Sequence, residues 1–282
     1  MRHLTEGNHS DSSLSAWDPD KGGDGHIINY LNGTNGMVYG ALLSSASVTG
    51  NTVNAFGGYS PTEDNVEDNA VNIFGGTVNS YVTGAYSLDG DAYGNTVNIY
   101  AVDDITGGIY GSLTSNGSSY NNTVNILGTI NISGYLDAYG TQTINIASKN
   151  NHVSTMNGTD GGALNMNFFL PSDTQAGDTM LTIDNSGTGI NLEGTTFGVA
   201  AQSGLSLDLG DKVTLIYDAN GITTDSTIST TTSLTVLTGI STDTAYGFSI
   251  EKNGDTAITT TVTSKAYNHL RERTKSLVET RV

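Results

Sequence analysis

Hydrophobic and polar positions alternate over short stretches of this chain, and one such stretch keeps returning. It is an aliphatic residue, then Asn, then a residue that is usually apolar. It reads Ile28-Asn29-Tyr30, Val53-Asn54-Ala55, Val71-Asn72-Ile73, Val97-Asn98-Ile99, Val124-Asn125-Ile126, Ile144-Asn145-Ile146 and Leu164-Asn165-Met166. The spacings are 25, 18, 26, 27, 20 and 20 residues. Successive side chains of a strand point to opposite faces. Val97 and Ile99 therefore share one face, and Thr96 and Asn98 the other. A strand phrase returning at this interval is the signature of stacked repeats. The pattern predicts an all-β chain built as a parallel β-solenoid, with the aliphatic row inside and the Thr/Asn row facing water.

A second run follows the first within each repeat: Val38-Tyr39-Gly40-Ala41, Val82-Thr83-Gly84-Ala85-Tyr86, Ile109-Tyr110-Gly111 and Ile132-Ser133-Gly134-Tyr135. Each repeat thus carries at least two strands joined by Gly-rich corners. Asn51, Asn69, Asn95 and Asn122 precede the phrase and are expected at corners, where Asn tolerates a left-handed backbone and stacks in ladders. The uneven spacing predicts insertions at corners, the longest candidate being the acidic stretch 59–69. Seven to ten repeats, each adding about 4.8 Å, predict a rod of about 35–50 Å.

These patterns divide the chain. Residues 1–26 read as a poorly ordered polar lead-in, 27–190 as the repeats, and 191–263 as a β region capping the open edge of the stack. Met180-Leu181-Thr182-Ile183 reads as one more repeat. In 264–282, Ala266, Leu270, Thr274, Leu277 and Val278 form an apolar stripe at helical spacing. This predicts an amphipathic helix that stops without a C-cap signal, as expected of a parent chain that continues.

Composition sharpens this picture. Only 13% of the 282 residues are charged, about half the usual share. The net charge is −18. Residues 1–264 carry 5 Lys and Arg against 26 Asp and Glu, whereas 265–282 carry 5 against 2. An acidic body repels nucleic acid and anionic lipid, so neither is expected as a partner. With no cysteine, disulfides and Cys-ligated zinc are excluded. No apolar run is long enough for a signal peptide or a membrane-spanning helix.

The order of motifs resembles the passenger region of bacterial autotransporters, the type V secretion family. Gly50-Asn51-Thr52-Val53-Asn54 and Gly94-Asn95-Thr96-Val97-Asn98-Ile99 look like the G-N-T-V-x-I repeats of adhesin-like passengers. Gly108-Ile109-Tyr110-Gly111 looks like their G-x-I/V-Y-G strand. Gly210-Asp211-Lys212-Val213-Thr214-Leu215-Ile216 looks like the segment near the passenger's end, and Lys275 to Arg281 like the stretch where the linking helix enters the barrel. The resemblance covers about residues 25–282. It implies a parent with a signal peptide before residue 1 and an outer-membrane β-barrel in cis after residue 282. It further implies export to the bacterial cell surface, and adhesion to a host or neighbouring-cell ligand such as a glycan, or self-association. It brings no catalytic residues.

Candidate chemistry is sparse. Asp18, Asp20 and Asp24 alternate with Gly as in a calcium loop, but Gly22 and Asn29 stand where further ligands belong, so an acidic turn and no cofactor are expected. Asp103-Asp104, with Asp89 and Asp91 nearby, echo the paired carboxylates of polysaccharide hydrolases without a basic neighbour. The alternative readings are therefore a carbohydrate-active β-helix enzyme of the pectin-lyase type and a purely structural stalk. The five His residues show no metal-ligand spacing, and no nucleophile elbow or phosphate loop occurs. Thr223 to Thr235 and Thr256 to Thr263 echo the Thr ladders of ice-binding solenoids, with irregular spacing. Frequent Tyr suits corner packing or a Tyr-rich binding face. The expected binding face comprises Thr96, Asn98, Thr123, Asn125, Tyr110 and Tyr135.

Overall fold

The computed structural model describes residues 65–75, 77–78, 81–138, 140–157, 163–184, 187–231 and 244–267, together with short strands at Ser13–Ser15, Thr34–Asn35, Met37–Tyr39, Val48–Thr49, Thr52–Val53 and Tyr59–Ser60. Among the described residues the chain is all-β, without a helix. Two eight-stranded sheets dominate. The first runs, in spatial order, through Val82–Thr83, Gly108–Tyr110, Asn131–Asp137, Asn151–Asn157, Thr179–Ile183, Lys212–Asp218, Ala257–Tyr267 and Thr244–Asn253. The second runs through Ser229–Thr231, Thr195–Ala201, Leu164–Leu170, Thr143–Ile146, Thr123–Ile126, Thr96–Ile99, Ala70–Ile73 and Thr52–Val53. The chain alternates between the sheets, and every pairing in the second is parallel. The arrangement is solenoid-like.

The recurring phrase forms the second sheet. Val71, Val97, Val124 and Ile144 stack in one inward row, and Ile73, Ile99, Ile126 and Ile146 in the next. All eight are fully buried. Burying such a side chain contributes about 1.5–3 kcal/mol, which is why the aliphatic row lies inside. The next strand aligns Met166-Asn167-Phe168 with Ile144-Asn145-Ile146. The seventh phrase is thus not Leu164-Asn165-Met166 but its neighbour two residues on. A two-residue shift keeps every side chain on its own face, so alternation alone cannot tell the two apart. The parallel stacking also continues past residue 190, through Thr195–Ala201 to Ser229–Thr231.

The uneven spacing has a structural origin other than loops. The 27-residue repeat from Asn98 to Asn125 holds five strands: Thr96–Ile99, Asp104–Ile105, Gly108–Tyr110, Leu113–Thr114 and Ser119–Tyr120. The following 20-residue repeat holds two, Thr123–Ile126 and Asn131–Asp137. Asn131–Asp137 runs over both Asp104–Ile105 and Gly108–Tyr110, and its pairing with Asn151–Asn157 shifts register between Ile132 and Tyr135. Leu136, not Ile132, aligns with Ile109. Gly134 is needed there, because a Cβ would stand 1.8 Å from the Gly107 carbonyl oxygen.

Buried Asn residues turn the corner before the second sheet. Asn69, Asn95 and Asn122 are at most 1% exposed. The Asn95 Oδ1 accepts from the Asn69 backbone N–H at 3.0 Å. Its Nδ2 donates to the Val66 and Tyr93 carbonyls at 3.0 and 2.9 Å and to Asn122 Oδ1 at 3.0 Å. Gln142 takes the next place, accepting from the Asn122 N–H at 2.8 Å. The left-handed backbone falls on the residue before the corner amide, at Asp68, Gly94 and Asn121, not on the amide itself. Opposite this row the first sheet must pass close by. A Cβ on Gly84 would lie 2.9 Å from the Asn95 Cβ, and one on Gly111 2.8 Å from that of Asn122. The Gly of the second run is therefore a contact requirement.

At the N-terminal end Ser13–Ser15 pairs in parallel with Met37–Tyr39; the rest of the expected lead-in, 1–12 and 16–26, lies outside the described residues. At the other end an expectation is corrected. Residues 264–267 are not the start of a helix: they continue the Ala257–Tyr267 strand, antiparallel to both Lys212–Asp218 and Thr244–Asn253. β-Branched Thr259 to Thr263 commit this stretch to strand, and Ser264, Lys265 and Ala266 follow in register against Gly247, Tyr246 and Ala245. Residues 268–282 lie outside the described residues. The hairpin occupies the edge of the first sheet, and its Tyr246, Phe248 and Ile250 pack against the core.

Replacing Asn95 with Ala should destabilise the fold by about 2–4 kcal/mol, because buried backbone groups lose their partners. Asn98→Ala, on the water-facing side of the same repeat, should cost about 1 kcal/mol. Urea titrations of both variants check this ordering.

Candidate functional site

The outward face of the second sheet is a regular array. Its first row is Ala70, Thr96, Thr123, Thr143, Asn165, Thr196 and Ser229, each paired in register with the next. Its second row is an amide ladder. Asn98 donates to Asn72 at 2.9 Å, Asn125 to Asn98 at 2.7 Å, Asn145 to Asn125 at 2.7 Å and Asn167 to Asn145 at 2.9 Å. Asn98, Asn125 and Asn145 are each held on both sides, so the middle of the row is fixed at the strand spacing of about 4.7–4.9 Å. None of these outward residues is charged.

A third row continues the alternation past the phrase. Phe74 and Tyr100 stack with centroids 4.7 Å apart and planes within 9°. They are 42% and 44% exposed. Backbone bonds from Tyr100 N–H to Ile73 and from Leu127 N–H to Ile99 extend the sheet to this row. An aromatic stack on a wet face adds about 0.5–1.5 kcal/mol beyond its buried area.

The sequence candidates divide accordingly. Thr96 pairs with Thr123 and Asn98 with Asn125 on the array. Tyr110 and Tyr135 do not join them: both belong to the first sheet. Tyr110 is 7% exposed and meets Tyr81 and Tyr135 edge-on, each at 5.7 Å. Its hydroxyl also hydrogen-bonds that of Tyr135. Burial, with this bond second, pushes the Tyr110 phenol far above its ordinary range. Phe74 is absent from the sequence candidates and Tyr100 enters them only as one of the frequent Tyr residues, although alternation beyond Ile73 and Ile99 places both outward.

A second stacked pair, Tyr93 and Tyr120, lies at another corner, with centroids 4.7 Å apart. Burial, followed by the charges of Asp91 and Glu67, raises the Tyr120 pKa. This pair is bordered by acid, unlike the first.

The carboxylates proposed for hydrolysis serve as braces between repeats. Asp104 accepts from the Ser133 N–H at 2.7 Å and its hydroxyl at 2.8 Å. Asp89 accepts from Asn116 at 2.6 Å, and Asp91 from the Ser118 N–H at 2.8 Å. Asp104 and Asp91 adjoin strands of different small sheets. The calcium candidates Asp18, Asp20 and Asp24 lie outside the described residues. Among the described residues no cluster of three His, Asp or Glu side chains is placed to hold a metal. The Thr run at 256–263 does not form a surface row, since Thr259 and Thr260 are buried; residues 232–235 of the other run lie outside the described residues. A cavity of about 490 Å³ lies between 224–228 and 250–252 and is lined in part by Thr224 and Thr227 of the first Thr run; none of the expected binding-face residues lines it.

The chain has no significant match among family models, curated proteins or solved structures. Its own geometry must carry any functional reading.

Charge pairing tethers successive repeats elsewhere. Lys149 Nζ donates to Asp178 at 2.8 Å and to the Asp173 carbonyl at 2.6 Å. Burial alone would raise the Asp178 pKa, but the bonds from Lys149 and the Gln175 N–H bring it below its ordinary value. A lowered carboxylate pKa contributes stability above the unfolded value of about 3.9, lost as pH falls through the folded value. Asp178→Asn should cost about 1 kcal/mol or less at neutral pH, since the pair is partly exposed and screened. It should also flatten the loss of stability below about pH 4. Thermal melts from pH 7 to 2 check both effects.

Proposed function

We propose that the chain is a parallel β-solenoid acting as a surface-displayed adhesive passenger, without chemical change to its ligand. The observation that carries this reading is the uncharged Thr/Asn/aromatic array in a body of net charge −18. Such a surface supports many weak, repeated contacts, and on a crowded cell surface these multiply into avidity. The autotransporter-like motifs favour display through a barrel carried by the parent chain, and place the hairpin at 244–267 as the cap of the stack. Self-association of copies on adjoining cells is the other use of a displayed passenger. The hydrolase alternative is less well supported, because Ser133 already occupies the Asp104 carboxylate.

The solenoid reading has its own test. Deleting Thr96–Asn122 joins Asn95 to Thr123 and restores the phrase, so the variant should unfold in one cooperative transition with a lower Tm. Deleting Thr96–Ser112 leaves half a repeat and should abolish cooperativity. Equal behaviour of the two would sink the stacking model.

For adhesion, beads coated with the chain should bind cell surfaces, and beads coated with Asn98→Ala/Tyr100→Ala should bind several-fold less. Failure of the parent chain to bind would favour a mere stalk, and full binding by the variant would move adhesion off this array. Release of reducing ends from polysaccharide, lost in Asp103→Ala/Asp104→Ala, would favour the enzyme.

A further inference from the structure

The adhesive reading leaves its ligand open, and the chemistry of the array narrows it. Along one strand, Thr96, Asn98 and Tyr100 present a hydroxyl, an amide and an aromatic ring at steps of about 7 Å. Thr123 and Asn125 repeat the first two on the neighbouring strand. Asn98 spends one N–H on Asn72 and one lone pair on Asn125. A carboxamide has two of each, so Asn98 and Asn125 each keep one donor and one acceptor beyond those the ladder uses. Because the ladder already fixes the amides, a ligand that bonds to them orders little further side chain, which lowers the entropic cost of binding.

Paired donors and acceptors beside exposed aromatic carbon match one chemistry closely: a ring with adjacent hydroxyls on its edge and C–H groups on its face. Charge narrows the class further. The array holds no Lys or Arg to pair with a carboxylate or sulfate, and the acidic body repels polyanions. The acids nearest Tyr100 in sequence, Asp103 and Asp104, belong to the next corner, where Ser133 engages Asp104. Size argues against a second copy of the chain. Seven strands span about 30 Å, and three outward positions about 13 Å, or about 400 Å². A stable protein interface needs about 800 Å² per partner.

We infer that this face, centred on Asn98, Tyr100, Thr123 and Asn125, docks a neutral, extended glycan. The inference rests on the adhesive reading above and specifies its ligand. The test is calorimetric titration of the full chain with neutral β-1,4-linked hexasaccharides of glucose, mannose and N-acetylglucosamine, against hexagalacturonate. At least one neutral hexasaccharide should bind with little dependence on salt, and hexagalacturonate should not. Tyr100→Ala should weaken binding by roughly three- to tenfold, the worth of an aromatic contact. Thr123→Arg projects a bulky charge from the outside of the sheet and spares the core, so it should weaken binding at least as much with the melt unchanged. Tyr120→Ala, at the acidic stack, should bind as the parent does.

Absence of binding to every neutral hexasaccharide, equal binding of hexagalacturonate, or full binding by Thr123→Arg would each overturn the assignment. So would sedimentation showing self-association through this face that no hexasaccharide competes. Cell adhesion that persists in Thr123→Arg would refute the glycan surface and leave the adhesive reading standing. Failure of the parent chain to adhere at all would remove both.

Discussion

The buried row of corner amides is the constraint on which the rest of this molecule depends. Parallel strands in stacked repeats must leave one sheet and enter the next, and the backbone groups at that turn lose their ladder partners. In a buried corner water cannot replace them, and an unmade bond costs about 1–3 kcal/mol. Asn95 and Asn122 resolve this by bonding to the repeat on either side, and Asn69 joins the row through Asn95. Because every amide serves its neighbour, the corner sets the register of whole repeats. The inward Val and Ile rows and the outward Asn row then follow from alternation.

That register also decides where side chains of other kinds can stand. Gly84 and Gly111 are required because the opposite strand passes within reach of the corner amides. The left-handed turn just before each amide takes Asp68, Gly94 and Asn121, residue types that tolerate it. At the outer corners Asp89, Asp91 and Asp104 each brace the next repeat. The uncharged array on the second sheet and the acid-bordered Tyr93–Tyr120 stack are thus two surfaces of different chemistry made by one repeat.

Part of the array was legible in the residues alone. Alternation in T-V-N-I places Thr96, Asn98, Thr123 and Asn125 together on the outside, and the structure pairs them so. The same rule did not reach Tyr110 and Tyr135. Tyr110 follows an inward Ile109, yet it packs under Tyr81 and beside Tyr135 because three short strands crowd that part of the repeat. A terminal helix was inferred from apolar spacing at Ala266 and beyond, but pairing with Thr244–Asn253 claims Ser264 to Tyr267 for a strand. Periodicity describes a segment by itself and is silent about a partner strand 20 residues away.

The sequence by itself determined the strand phrase, its two faces and its return along the chain. These depend on local alternation and on the water-to-interior transfer of Val and Ile, which need no knowledge of the fold. Tertiary structure decided the rest: that 26- and 27-residue spacings hold extra short strands, that Met166-Asn167-Phe168 continues the ladder, and which aromatic rings are stacked in water. Each of these turns on the register between repeats. Register comes from hydrogen bonds between residues some 20 to 30 positions apart, and a period-two pattern reads the same when shifted by two.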